Sequence, residues 1–166
     1  MTESIKELEI KGQHVEASGS FLFGERAKEY ATKDKDGNET PGINAIYLGL
    51  VQRRTDALLN FWDCATAHVT RFKKSDIQKA LAEVIDEKED TIELIRGAIE
   101  VLEGSGYFKQ EIRGFWLNVR QGYKQAKAGE GETKEEAREA AKEQAQSLVD
   151  MYEAVMDPAK EEEAMK

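Results

Sequence analysis

From Gly42 to Phe108 the chain reads GINAIYLGLVQRRTDALLNFWDCATAHVTRFKKSDIQKALAEVIDEKEDTIELIRGAIEVLEGSGYF, and this stretch decides the fold. Apolar residues recur in it at helical spacing. Ile43, Ile46, Tyr47 and Leu50 form one block; Leu58, Phe61, Trp62, Ala65 and Val69 a second. Ile77, Ala80, Leu81 and Val84 form a third, and Ile92, Ile95, Ile99 and Leu102 a fourth. Reactive side chains are sparse among them. A regular helical scaffold of this kind argues for a protein that holds another protein rather than one that transforms a substrate.

Boundary signals divide the stretch. One helix is predicted from about Ile43 to Arg53, and Thr55 can cap a second running from Asp56 to about Thr70. After the connector Arg71-Phe72-Lys73-Lys74, Ser75 and Gln78 have capping-box spacing and open a third helix reaching about Glu87. A fourth runs from about Asp90 to Glu103 and stops at Gly104-Ser105-Gly106. A fifth runs from about Tyr107 to Ala128 despite Gly114 and Gly122. Upstream, Leu8, Ile10, Val15 and Ala17 alternate with polar neighbours around Lys11-Gly12-Gln13, the pattern of a small hairpin within residues 5–17. Phe21 and Phe23 form another period-2 pair, an edge strand or the staple into a short helix at Glu25–Thr32. Lys33–Gly42 reads as a loop or hairpin tip.

Downstream, Gly129-Glu130-Gly131-Glu132 is a linker, and Thr133 with Glu136 makes a further capping box. Ala137, Ala141, Leu148, Tyr152 and Val155 then form a stripe ending at Asp157-Pro158. The alanine-rich start of that helix has high propensity and little to bury, so it is expected to be peripheral, exchanged onto a neighbour, or dependent on a partner. The expected fold class is therefore α+β, mainly α: a small N-terminal β-hairpin, a packed helical domain and a peripheral C-terminal helix. The expected organisation is a core domain over 1–128, with its β element at about 5–24 and helices at about 43–128. An acidic helical extension over 129–157 and a disordered tail over 158–166 follow.

The chain of 166 residues carries a formal charge of −9, and most of it is C-terminal: residues 129–166 hold 12 acidic and 5 basic side chains. That balance favours solubility and weighs against nucleic acid as a partner. A single cysteine, Cys64, makes no internal disulfide and suits a reducing compartment. MTESIKELEIKG lacks the basic start and apolar block of a signal peptide, and no run reaches the ~20 apolar residues of a membrane span. A soluble, cytoplasmic protein with no membrane contact is expected.

Candidate chemistry is thin. Cys64 and His68 lie four apart on a predicted helix and share a face, but a metal site there lacks further ligands, and a small core thiol accounts for Cys64. Asp34-Lys35-Asp36-Gly37-Asn38 resembles part of a calcium loop, yet aligning Gly37 with the invariant glycine puts Ile43 where glutamate is needed. No phosphate loop, dinucleotide pattern or serine elbow occurs. The expected catalytic, metal and cofactor sets are therefore all none.

The fifth helix is richer. Lys109, Arg113, Arg120, Lys124 and Lys127 fall near one side, with Glu111 the only acid among them. Phe108, Ile112, Phe115, Val119 and Tyr123 mark another side, and Trp116 lies between. Two readings stay open: a nucleic-acid-binding or regulatory adaptor using the basic-aromatic helix 107–127, or a basic face that meets an acidic partner, including this chain's own C-terminal segment.

The order of the pieces resembles the tail assembly chaperones of long-tailed bacteriophages, above all those of phages and prophages of Gram-positive bacteria. The residues that carry it are Phe21-Leu22-Phe23-Gly24-Glu25-Arg26-Ala27-Lys28 after a hairpin; Gly42-Ile43-Asn44-Ala45 through Asp56-Ala57-Leu58-Leu59-Asn60-Phe61-Trp62; Ser75-Asp76-Ile77-Gln78-Lys79-Ala80-Leu81; and Ile92-Glu93-Leu94-Ile95 leading to Ser105-Gly106-Tyr107-Phe108-Lys109. They span roughly residues 5–110. The resemblance implies a non-enzymatic protein that binds tape measure protein, keeps that long helix-rich chain soluble, and promotes assembly of major tail protein around it. It also implies action in the cytoplasm of the bacterial host, absence from the mature virion, and, in many members, a longer frameshifted form. For the anchors of such helix-in-groove contacts the sequence offers Phe61, Trp62, Phe108, Phe115 and Trp116. A homo-oligomer through the C-terminal helix is a further expectation.

Overall fold

Alternation of apolar and charged side chains makes Glu7–Ile10 (β1) and Gln13–Glu16 (β2) an antiparallel hairpin with one dry face, bearing Leu8, Ile10 and Val15. Its two-residue turn is Lys11-Gly12, both at positive φ, the twist that matches flanking strands. The structure, a computed structural model, describes residues 3–166; residues 1 and 2, the start of the expected 1–128 domain, lie outside the described residues. It contains two compact units, the first ending at Lys109 and the second comprising Gln110–Lys166. The break thus falls earlier than the expected boundary at 128.

In the first unit the hairpin is followed by α1 (Phe21–Ala27), which passes through a 3₁₀ turn at Lys28–Tyr30. A second hairpin, β3 (Thr32–Lys33) with β4 (Glu39–Thr40), forms in the segment read as a loop or hairpin tip. Then come α2 (Gly42–Val51), α3 (Thr55–Ala65), α4 (Lys74–Lys88) and α5 (Ile92–Gly104). Helix α3 is the hub: α1, α2, α4 and α5 all pack on it, and the first hairpin lies on α4. Its residues Ala57, Leu58, Phe61, Trp62, Cys64 and Ala65 are buried, so it is apolar almost all round, as a central helix must be.

Two glycines permit the closest approaches. A Cβ on Gly42 would lie 1.6 Å from the Ala27 carbonyl oxygen, and one on Gly97 would lie 1.9 Å from that of Ile5. The second places the N-terminal segment directly across α5, where Ile5 N–H donates to the Glu93 carbonyl (2.9 Å) and Arg96 Nη1 to the Glu3 carbonyl (2.6 Å).

Several expected boundaries move. Phe21 and Phe23 belong to α1, because only Phe23 has a core to enter. Helix α3 ends at Ala65, not near Thr70. The buried Thr66 hydroxyl bonds back to the Trp62 carbonyl (2.9 Å), and Ser18 N–H takes the Ala65 carbonyl (3.0 Å). Helix α4 starts at Lys74 with Lys73 as its cap residue, so the Ser75–Gln78 capping box does not form; the buried Phe72 pins the connector and the helix begins soon after it.

The second unit contains α6 (Lys109–Gln121, whose first residue closes the first unit), a 3₁₀ turn at Gly122–Gln125, α7 (Lys134–Met156) and α8 (Pro158–Ala164). The fifth predicted helix thus tightens at Gly122 instead of running on to 128. The capping box forms as read: Glu136 N–H donates to Thr133 Oγ1 (3.1 Å) and Thr133 N–H to Glu136 Oε2 (3.0 Å). Helix α7 buries only Ala137 and Val155 fully among its described residues. The 158–166 tail, expected to be disordered, carries α8, since Asp157-Pro158 is also a helix start: Asp157 Oδ1 accepts from Ala159 N–H (3.1 Å) and proline suits the first turn. The molecule is α+β and mainly α.

Gly97→Ala is expected to destabilise the first unit by about 1–3 kcal/mol, because the backbone of residue 5 must move. Gly114→Ala, with open space around its Cβ in α6, is expected to stabilise by about 0.5–1 kcal/mol. Urea titrations followed by circular dichroism check both signs.

Candidate functional site

Helix α3 carries Asp63 into the core, where it is 1% exposed. An unpaired carboxylate there would be costly, and two groups answer it. Tyr30 Oη donates to Asp63 Oδ2 at 2.5 Å, Arg26 Nη1 lies 3.9 Å from Oδ1, and the same Nη1 donates to the Asp63 carbonyl at 2.7 Å. Around them Lys74 Nζ stands 5.0 Å over the Tyr30 ring, and Arg71 grips the Glu29 carboxylate at 3.0 and 2.6 Å. The knot joins α1 and its 3₁₀ turn to α3 and the start of α4.

This charge cluster is chemically quiet. Burial first, and the Asp63 carboxylate second, push the Cys64 thiol up to about 12. Burial and the bond to Asp63 likewise raise the Tyr30 hydroxyl above its ordinary value. At neutral pH both hold their protons, so neither is a nucleophile. His68 lies beyond the end of α3 and is exposed, so it does not share a helical face with buried Cys64. In the second hairpin, Asp34 Oδ1 accepts from the backbone of Asp36 (2.9 Å) and Asn38 (2.8 Å), which makes it part of the turn.

The surface is more informative. Phe21 is 73% exposed, Leu22 52% and Tyr107 54%, and the Phe21 and Tyr107 rings meet edge to face with centroids 4.4 Å apart. Exposed aromatics in mutual contact make this ledge a candidate contact surface. The ledge is rigidly backed. Phe23, one residue from Leu22, packs at a tilt against Phe61 (centroids 5.6 Å apart) and Phe108 (5.4 Å), and Ser105 Oγ donates to the Gly19 carbonyl at 2.5 Å. Of the anchors expected from sequence, Phe61 and Trp62 are fully buried and Phe108 is 4% exposed; Phe61 and Phe108, against Phe23, form the wall behind the ledge. Phe115 and Trp116 are half-buried in the second unit, in edge contact with each other (5.2 Å), and Trp116 meets Tyr152 (5.1 Å). Lys109, Arg113, Arg120, Lys124 and Lys127 are all exposed.

Sequence reading passed over Phe21, Leu22 and Tyr107 as surface residues. A signal was present: Phe21-Leu22-Phe23 is an unbroken apolar triplet, and a short amphipathic helix cannot turn all three inward.

Residues 7–116 match the family model described as phage tail assembly chaperone protein, TAC. No curated protein and no solved structure gives a significant match. Among the described residues no helix is long and apolar enough to cross a membrane.

Stability is expected to fall as pH rises from about 9 toward 12. The unfolded thiol ionises near 9 while the folded one keeps its proton, so the contribution is complete below that range and lost above it. Tyr30 adds to the loss above about pH 10. Urea midpoints measured at either end of that range check it, and Cys64→Ala should flatten the dependence. Native Cys64 should also resist thiol reagents until denaturant is added.

Proposed function

The chain belongs to the phage tail assembly chaperone family, and on that premise we propose that it binds tape measure protein, keeps it soluble, and promotes assembly of major tail protein around it. The observation that carries this reading is the Phe21–Leu22–Tyr107 ledge on a sealed, rigid core. A long helix-rich client exposes apolar stripes before it is packaged, and aromatic anchors are the side chains best suited to cover them. Fully covering one such side chain stabilises a complex by about 1.5–3 kcal/mol before the costs of association. Three anchors therefore support a hold that is firm enough to prevent aggregation and weak enough to release.

The net charge of −9 serves the same role, keeping a complex with an apolar client dispersed. The protein acts without catalysis in this reading: its buried thiol stays protonated, and its buried carboxylate is engaged by Tyr30 and Arg26. It works in the cytoplasm of the bacterial host and is left out of the mature virion. The adaptor reading draws on the exposed cations of residues 109–127, and binding of an oligonucleotide lost on Arg113→Gln and Arg120→Gln would favour it.

Co-expression with the tape measure protein should raise that protein's soluble yield severalfold. Phe21→Asp with Tyr107→Asp should remove the rise while leaving the chaperone folded by circular dichroism. Phe61→Ala, in contrast, should cost the chaperone itself about 3–5 kcal/mol. No rise with the unaltered chain would overturn the reading.

A further inference from the structure

We propose that the basic face of α6 and the turn after it docks onto the acidic start of α7 in a second copy of this chain, and that the contact is reciprocal. Within residues 109–127 five cations face a single carboxylate, in a chain that is otherwise acidic. Lys109, Arg113 and Arg120 lie on one side of α6 by helical spacing, and Lys124 and Lys127 continue the charge past Gly122. All five are exposed, and among the described residues Arg113, Arg120, Lys124 and Lys127 make no ion pair.

The complement stands in the same unit as Arg113, Arg120, Lys124 and Lys127 and is equally unused. Glu130, Glu132, Glu135 and Glu139 are exposed, and among the described residues their carboxylates make no ion pair. The capping box fixes the first turn of α7, with Glu136 turned back onto Thr133, so Glu135 and Glu139 are presented on an ordered helix end. Glu130 and Glu132 precede it, and with Lys134 and Arg138 between them the segment 130–139 keeps an acidic excess. A unit that carries both members of a complementary pair, with neither satisfied internally, is built for a two-fold contact in which each copy gives what the other takes. At physiological salt, charges beyond about 8 Å are screened, so the net repulsion of two acidic chains does not cancel a local match. Exposed pairs are individually weak, and reciprocity doubles them. The contact lies largely beyond the residues matched to the family and stands apart from the tail-protein reading.

Sedimentation or light scattering of the full chain, without client, tests this. At about 100 µM protein a dimer is expected in about 50 mM NaCl, weakened at least ~10-fold in about 500 mM. A variant with Arg113→Glu, Arg120→Glu and Lys124→Glu should be monomeric, as should one with Glu132→Lys, Glu135→Lys and Glu139→Lys. Mixing the two should restore dimer, which also excludes misfolding as the cause. A monomer at low salt, a dimer indifferent to salt and charge reversal, or folded variants that fail to recombine would each overturn the proposal. So would a monomer whose basic face instead retards a single-stranded oligonucleotide.

Discussion

The bond from Tyr30 Oη to Asp63 Oδ2, with Arg26 beside it, is the contact on which the first unit depends. Helix α3 packs against α1, α2, α4 and α5; its first turn leaves Asp56 exposed, but its last turn, which carries Asp63, is enclosed. Its carboxylate must be answered from within the protein. Tyr30 and Arg26 supply that answer from α1 and its 3₁₀ turn, so the first helix is held against the hub by polar as well as apolar forces. Breaking such a pair from one side leaves a buried group unsatisfied, which costs far more than the pair contributes.

The same attachment positions the surface that matters. Once α1 is fixed, Phe23 enters the core against Phe61 and Phe108, and Phe21 and Leu22 are left on the outside next to Tyr107. The ledge is thus the exposed remainder of an apolar run whose middle residue was needed for packing. In the proposed role, a surface set on a preorganised wall would lose little entropy on binding a client.

The helical relay from 42 to 104, the first hairpin, the capping box at Thr133 and the stop at Gly104 were all legible from the sequence. They rest on local rules: apolar period, turn residues and cap spacing act over a few residues and leave their mark there. Boundaries that moved were decided by distant partners. Thr66 ends α3 with help from Ser18, and Phe72 sets the start of α4 by being drawn into the core.

What the sequence determined by itself was the class of the fold, the family to which the chain belongs and the segregation of its charge. What only the tertiary structure decided was which aromatics face outward. Phe61 and Trp62 are as apolar as Phe21 and Tyr107, and spacing alone cannot rank them. Enclosure by surrounding helices buries the first pair, while the second stands where no other part of its unit closes over it. Asp63 was settled in the same way: periodicity places it on a helix, and only long-range packing reveals that the turn carrying it is enclosed.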